Sequence, residues 1–204
     1  MDRLRRLVLA TGNRGKLTDF RLLFGGSSVE LLMPEDLGMR LDVEETGSTF
    51  EDNARLKACA GAEATGLATL ADDSGLEVYG LGGDPGVRSA RFAGLQCDDH
   101  ENNMLVIKRL AELGSEADRR AAFVCSLVLR LSDGCELTSQ GRCEGRIIDE
   151  ERGDNGFGYD SIFFRDDLGY TFGQASAAEK NERSHRGQAV RRMIEVLEAS
   201  GRLP

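Results

Sequence analysis

The chain has 204 residues, 40% of them hydrophobic and 30% charged, the proportions of an ordinary folded domain, which excludes disordered and collagen-like classes. No apolar run approaches the roughly 18 residues that a bilayer crossing requires. A formal charge of −9 and a pI near 4.9 argue against a general nucleic-acid or anionic-membrane surface, because those partners need clustered Lys and Arg.

This length can bury about 70% of the unfolded surface in one substantial domain. The N-terminus, Met1-Asp2-Arg3-Leu4-Arg5-Arg6, runs into a strand-like segment with no signal-peptide core, so a cytoplasmic location is the expectation. Five scattered cysteines (Cys59, Cys97, Cys125, Cys135 and Cys143) include no Cys-x-x-Cys pair and read as reduced thiols. Of 26 basic residues only four are lysine: Lys16, Lys57, Lys108 and Lys180. A Lys that persists against such an Arg bias suits a site needing a compact point charge, such as a phosphate oxygen. Lys108, in an ordinary amphipathic stretch, reads as a surface residue.

In chain order, Arg6–Ala10 reads as a buried strand and Lys16–Phe24 as a helix with Leu17, Phe20, Leu23 and Phe24 at helical spacing. Between them, Thr11-Gly12-Asn13-Arg14-Gly15-Lys16 can present backbone N–H groups and a helix N-terminus to phosphate, or be a structural turn. It is not a Walker A loop, since two residues separate its glycines and Leu17 follows Lys16. Val29–Leu32 is a second short strand, and Phe50–Thr65 is an Ala-rich helix with Glu51 and Asp52 at its start. Lys57 on that helix has no acid at i±4, which points to a distant partner.

Thr69-Leu70-Ala71-Asp72-Asp73-Ser74-Gly75 ends an apolar run in two carboxylates, and in open α/β sheets ligands bind beyond the carboxyl ends of strands. Were the strand to persist, Asp72 and Asp73 would face opposite sides of the sheet. The competing reading is an Asp-Ser-Gly turn. Leu76–Val78 resumes the strand pattern, residues 80–86 form a tight Gly/Pro loop, and His100–Leu113 is an amphipathic helix. Ala121–Leu131 alternates, with a Ser132-Asp133-Gly134 hairpin into Cys135–Gly141, so the sheet is mixed. Phe157, between Gly156 and Gly158, is either a platform for a nucleobase or plain core. Ser184 is a good N-cap for a last helix with His185 and Arg186 in its first turn, where cations call for an acceptor-rich partner.

Taken together, Thr11–Lys16, Glu44-Glu45-Thr46-Gly47, Phe50 through Asn53 to Lys57, Ala71–Leu76, Gly82–Gly86, Phe157-Gly158-Tyr159-Asp160 and Ser184-His185-Arg186-Gly187 closely resemble the inosine/xanthosine triphosphate pyrophosphatase family. The resemblance runs in order from Leu7 to the last helix. It implies that residues 1–204 form a single two-lobed α/β domain, with a long central mixed β-sheet flanked by helices and a deep substrate cleft between the lobes. It also implies a homodimer and Mg²⁺-dependent hydrolysis of ITP, dITP and XTP to the monophosphate and pyrophosphate. By position, Thr11, Gly12, Asn13, Arg14, Gly15 and Lys16 would hold the triphosphate, with Lys57 and Lys180 as further contacts. Asp73 would be the acid/base and a metal ligand, Glu44 the second metal ligand and Ser74 a substrate contact. Phe157, Gly158, Tyr159, Asp160, His185 and Arg186 would receive the nucleoside. Departures from the family pattern are Ser161, where Pro is common and whose absence implies a looser loop, and Arg183 before Ser-His-Arg. Rival readings are a pyrophosphatase of different base choice and a nucleotide sensor without turnover.

Overall fold

A computed structural model describes residues 4–12, 14–25, 29–96 and 98–203, without the side chains of residues 14 and 15. In chain order the regular elements are β1 (Arg6–Leu9), α1 (Arg14–Phe24), β2 (Glu30–Leu32), α2 (Phe50–Thr65), β3 (Thr69–Val78), α3 (Asp99–Glu112), β4 (Arg120–Arg130), β5 (Glu136–Ile147), β6 (Phe163–Arg165), β7 (Tyr170–Thr171), α4 (Ala177–Arg183) and α5 (His185–Ala199). Among the described residues the strands form one sheet in the order β2-β1-β3-β4-β5-β6-β7. It is mixed: β1 runs parallel to β2 and β3, whereas β6 is antiparallel to both β5 and β7. No helix among the described residues is long and apolar enough to cross a membrane.

Local chemistry sets the boundaries that matter for the site. Thr49 caps α2 by accepting the Asp52 N–H, and Gly66, at φ 66°, closes it in the left-handed region that glycine adopts without a Cβ clash. Asp98 caps α3 in a reciprocal box with Glu101, which fixes where Asp99 leaves the first turn.

β3 is the main departure from the sequence reading. It does not stop or turn at Asp72-Asp73-Ser74-Gly75 but runs unbroken over its ten residues, Thr69–Val78. The acids therefore lie within a strand, not at its end. Gly75 is required because a Cβ there would sit 2.3 Å from Ser89 Oγ and 2.7 Å from the Gly86 carbonyl. That close approach lets Ser89 Oγ accept the Leu76 N–H at 2.9 Å, so a side chain thirteen residues away meets a strand N–H.

The contacts divide into two compact units, one comprising residues through Asp73, Cys125–Gly141 and from Arg186 on, the other Ser74–Val124 and Arg142–His185. In the first unit, Leu7, Leu9, Leu70, Cys125, Leu127 and Leu129 pack with Phe20 and Phe24 of α1 and Val190, Met193 and Leu197 of α5. The opposite sheet face is smaller: Ala10, Ala71 and Val128 meet Ala54 and Ala58 of α2. Alanines let α2 sit low on the sheet, and at Gly61 a Cβ would come within 2.6 Å of Thr69 Cγ2. In the second unit, Leu76, Val78, Val106, Leu110, Phe123, Ile147, Tyr159, Phe163 and Phe172 form the core.

Candidate active site

The period of two along β3 separates the two acids as predicted. Asp72 shares the face of Leu70, toward α1 and α5, and Asp73 that of Ala71, toward α2. Both are buried, at 1% and 7% exposure, and their chemistry diverges.

Asp73 is held by one face of α2. Asn53 and Lys57, four residues apart and so vertically aligned on the helix, reach it together. Asn53 Nδ2 donates to Asp73 Oδ2 at 3.1 Å, and Lys57 Nζ lies 3.4 Å from Asp73 Oδ1. The distant acid expected for Lys57 is thus Asp73, joined by Glu45, whose Oε1 accepts from Lys57 Nζ at 2.7 Å. Asn53 Oδ1 also accepts the Gly47 N–H at 2.7 Å, which secures the segment bearing Glu45. Burial raises the Asp73 pKa above its ordinary value; Lys57 and Lys16 oppose the rise, and the like charge of Glu45 adds to it. For Lys57, burial alone would lower the pKa, but Asp73, Asp72 and Glu45 outweigh it and the ammonium is raised.

Glu44 is exposed, whereas the half-buried Glu45 meets Lys57 and acts on Asp73. Alternation along the extended 41–47 segment turns one glutamate in and the other out, and sequence alone does not say which.

Asp72 sits in an ion-pair chain. Lys16 Nζ lies 2.9 Å from its Oδ2, Arg186 Nε 3.6 Å from the same oxygen, and Arg186 Nη1 donates to Asp19 Oδ2 at 2.7 Å. Burial would raise the Asp72 pKa, but Lys16, Arg186 and Lys57 hold the carboxyl well below the usual range. The adjacent Cys125 thiol is pushed up to about 12 by burial and by Asp72, so it stays protonated. Lys16 reaches Asp72 from the first turn of α1, which begins at Arg14; Asn13 and the side chains of residues 14 and 15 lie outside the described residues.

The second unit gathers the other predicted residues. Phe157 is half-buried and is not among the residues that form the apolar core of the second unit. Asp160 Oδ2 accepts the Phe157 N–H at 2.9 Å and the Lys180 ammonium at 2.5 Å, while Lys180 Nζ stands 4.6 Å from the Phe157 ring centroid. Lys180, expected among the triphosphate contacts, is buried against this aromatic segment. Tyr159 is buried, with its hydroxyl donating to the Ser89 carbonyl at 2.7 Å. His185 is buried in the ring cluster, stacked on Phe123 at 4.8 Å and 15°. Ser74 is a half-buried strand residue.

The two departures are accommodated. At Ser161 the hydroxyl donates to Glu151 Oε1 at 3.1 Å and accepts from Asn103 Nδ2 at 3.1 Å, two ties that a proline could not make. Arg183 reaches Asp167 at 3.1 Å. Sequence reasoning passed over Asn53 and Asp19 as site residues, and named Glu44 while leaving the choice between Glu44 and Glu45 open. The i,i+4 spacing of Asn53 and Lys57 could have found the first; Asp19 lies 167 positions from Arg186 and carries no local signal.

Comparison with known proteins places this geometry in context. The dITP/XTP pyrophosphatase of Staphylococcus epidermidis is 45% identical over 192 residues, covering 94% of this chain and 96% of that protein. Among solved structures, the Staphylococcus aureus Ham1 protein matches with a TM-score of 0.84 at 41% identity, and a HAM1 protein from Coxiella burnetii with 0.87 at 39%; each alignment covers 96% of this chain and 100% of the other. The model of the Ham1 family matches residues 7–196, and the chain belongs to that family.

Proposed function

We propose that this chain hydrolyses the deaminated purine nucleoside triphosphates ITP, dITP and XTP to the monophosphate and pyrophosphate. The observation that carries the reading is the convergence of Asp73, Lys57 and Glu45 in a member of this family, whose Staphylococcus epidermidis relative is named dITP/XTP pyrophosphatase.

A divalent cation fits the donors. Asp73 and Glu45 both face the Lys57 ammonium, and Glu45 raises the Asp73 pKa, so two hard oxygen ligands stand close enough to repel each other. Among the described residues no group of three or more His, Cys, Asp or Glu side chains is gathered for a metal. Mg²⁺ suits such a pair, since it usually takes one or two carboxylates and completes its shell with water and phosphate oxygens. When bound, it neutralises phosphate charge and makes water more acidic.

The chain's own groups do the rest. Asp73 orients the attacking water and accepts its proton, a role that an ionised carboxylate can fill at neutral pH. Lys57 and Asn53 hold Asp73 in place, and Lys57 with Lys16 faces the phosphate charge. Thr11, Gly12, Asn13, Arg14 and Gly15 offer the loop and the start of α1 to phosphate, and Ser74 adds a contact. Attack at the α-phosphorus releases pyrophosphate intact. Phe157, Gly158, Tyr159 and Asp160 take the nucleoside, with His185 and Arg186 as donors to a 6-oxo group. A donor facing the adenine amino group is left unpaired, which disfavours ATP. We assign Lys180 to this end, on its contacts with Asp160 and Phe157. We place the enzyme in the cytoplasm and read it as a homodimer; light scattering on the purified protein tests the dimer.

An assay with Mg²⁺ across ITP, XTP, GTP, ATP and dUTP, separating pyrophosphate from phosphate, is decisive for the activity. Pyrophosphate release with ITP and XTP far ahead of GTP is expected. Release of single phosphate, or equal rates on GTP, defeats the proposal.

A further inference from the structure

The second unit contains a polar cluster that the proposed chemistry leaves unused. Asp99 and Asn103 are four residues apart on α3 and so present one face. Both act on a single residue, Gly158. Asp99 Oδ2 accepts the Gly158 N–H at 2.6 Å, and Asn103 Nδ2 donates to the Gly158 carbonyl at 3.2 Å. The N–H and the C=O of the same residue are therefore gripped from one helix.

Asn103 is itself braced. It is 1% exposed, and its Nδ2 also reaches Glu151 Oε1 at 2.6 Å and Ser161 Oγ at 3.1 Å, while His100 Nδ1 lies 2.6 Å from the other Glu151 oxygen. Gly158 adopts φ 62°, a conformation that its neighbours would reach only under strain. On its other side, Asp160 holds the Phe157 N–H. Every backbone polar group from the Phe157 N–H to the Gly158 carbonyl, apart from the Phe157 carbonyl, thus has a side-chain partner in this cluster or at Asp160. That carbonyl accepts the Asp160 N–H at 3.4 Å.

A strap fixed so completely sets the plane and depth of the one side chain it carries outward, the half-buried Phe157 ring. We propose that Asp99 and Asn103 are specificity-determining positioning residues, which hold Gly158 at both ends and so orient Phe157 against the purine base. Glu151 and Ser161 brace Asn103. This rests on the reading of residues 157–160 as the nucleoside end. A merely structural clamp would, when loosened, weaken every ligand alike. An orienting clamp weakens only ligands that carry a base.

The test uses Asp99→Ala, since Asp99 is exposed and its loss leaves the core intact, with Asp99→Asn as the conservative variant that keeps an acceptor oxygen. Calorimetry measures the Kd of ITP and of inorganic tripolyphosphate, so the outcome does not depend on turnover. Asp99→Ala is expected to weaken ITP about tenfold, equivalent to about 1.4 kcal/mol, with tripolyphosphate unchanged and Asp99→Asn near the parent. Asn103→Ala, where circular dichroism shows it folded, should behave as Asp99→Ala does. Equal weakening of both ligands in Asp99→Ala, or no change in either, overturns the inference. A parent enzyme that binds ITP but fails the pyrophosphate assay overturns the proposed function and leaves this comparison intact.

Discussion

Replacing Asp72 by Asn tests the electrostatic account of the first unit most directly. The side chain keeps its shape but loses its charge, taking from Lys16 and Arg186 the buried carboxylate that they share. At an effective dielectric near 20, attraction across 2.9 Å is worth about 6 kcal/mol and across 3.6 Å about 5 kcal/mol. Desolvation of the three groups offsets much of this. Removing one partner of such a buried set leaves the cost without the attraction, so a loss of about 3–5 kcal/mol is expected. Urea unfolding at neutral pH, followed by circular dichroism, measures it. The control is Glu112→Gln, which breaks an exposed i,i+4 contact of 3.9 Å with Lys108 and should cost no more than about 0.5 kcal/mol. pH supplies an independent check. The folded pKa of Asp72 is depressed, so its contribution is present above the ordinary carboxyl value near 3.8 and is lost as pH falls through the folded value. Parent stability should therefore drop more steeply than that of Asp72→Asn on acidification below about pH 4. Adding Lys16→Met to the variant should recover part of the loss, because it removes one of the stranded cations. A loss under about 1 kcal/mol, with parallel acid profiles, would refute the account.

Asp73→Asn should abolish turnover while ITP binding stays measurable by calorimetry, and Lys57→Ala should lower kcat by about tenfold or more; near-parent rates in either remove that residue from the mechanism. Glu45→Gln should depress activity and raise the Mg²⁺ requirement, whereas Glu44→Gln should do neither; the reverse ranking would restore Glu44 as the ligand. His100 and His185 are the only histidines, so NMR can follow each. The hydrogen bond and charge of Glu151 raise the His100 pKa, so the pair stabilises below the ordinary value of 6.5 and the benefit fades as pH rises through the folded value. The His100 midpoint should lie above 6.5 in the parent and fall in Glu151→Gln; an unmoved midpoint would contradict the pairing.

What the sequence revealed and what it hid divide along physical lines. The limits of α2 were legible because an Ala-rich run with Glu51 and Asp52 at its start is local chemistry; the structure caps that run at Thr49 and Gly66. The opposite facing of Asp72 and Asp73 followed from strand periodicity, and the distant partner of Lys57 from the lack of an acid at i±4. The continuity of β3 was hidden, since the features that carry it through Gly75 lie at Gly86 and Ser89. The ring beneath Lys180 and the carboxylate beside it are twenty or more residues upstream, so the sequence carried no local sign of either contact. Likewise Ser161 reads as a weak substitute for proline until Asn103, 58 positions away, is seen to bond it.

The ion-pair chain around β3 has a consequence for the form in which a nucleotide can arrive. Three cations, Lys16, Lys57 and Arg186, stand among four carboxylates, Asp19, Asp72, Asp73 and Glu45, so among these described residues negative charge is in excess by one. The chain as a whole carries −9. A bare triphosphate would meet repulsion at long range and, from these seven described residues, no surplus of positive charge. The ligand that this balance favours is a nucleotide already complexed to a divalent ion, whose own countercharge settles the account before the protein is asked to contribute.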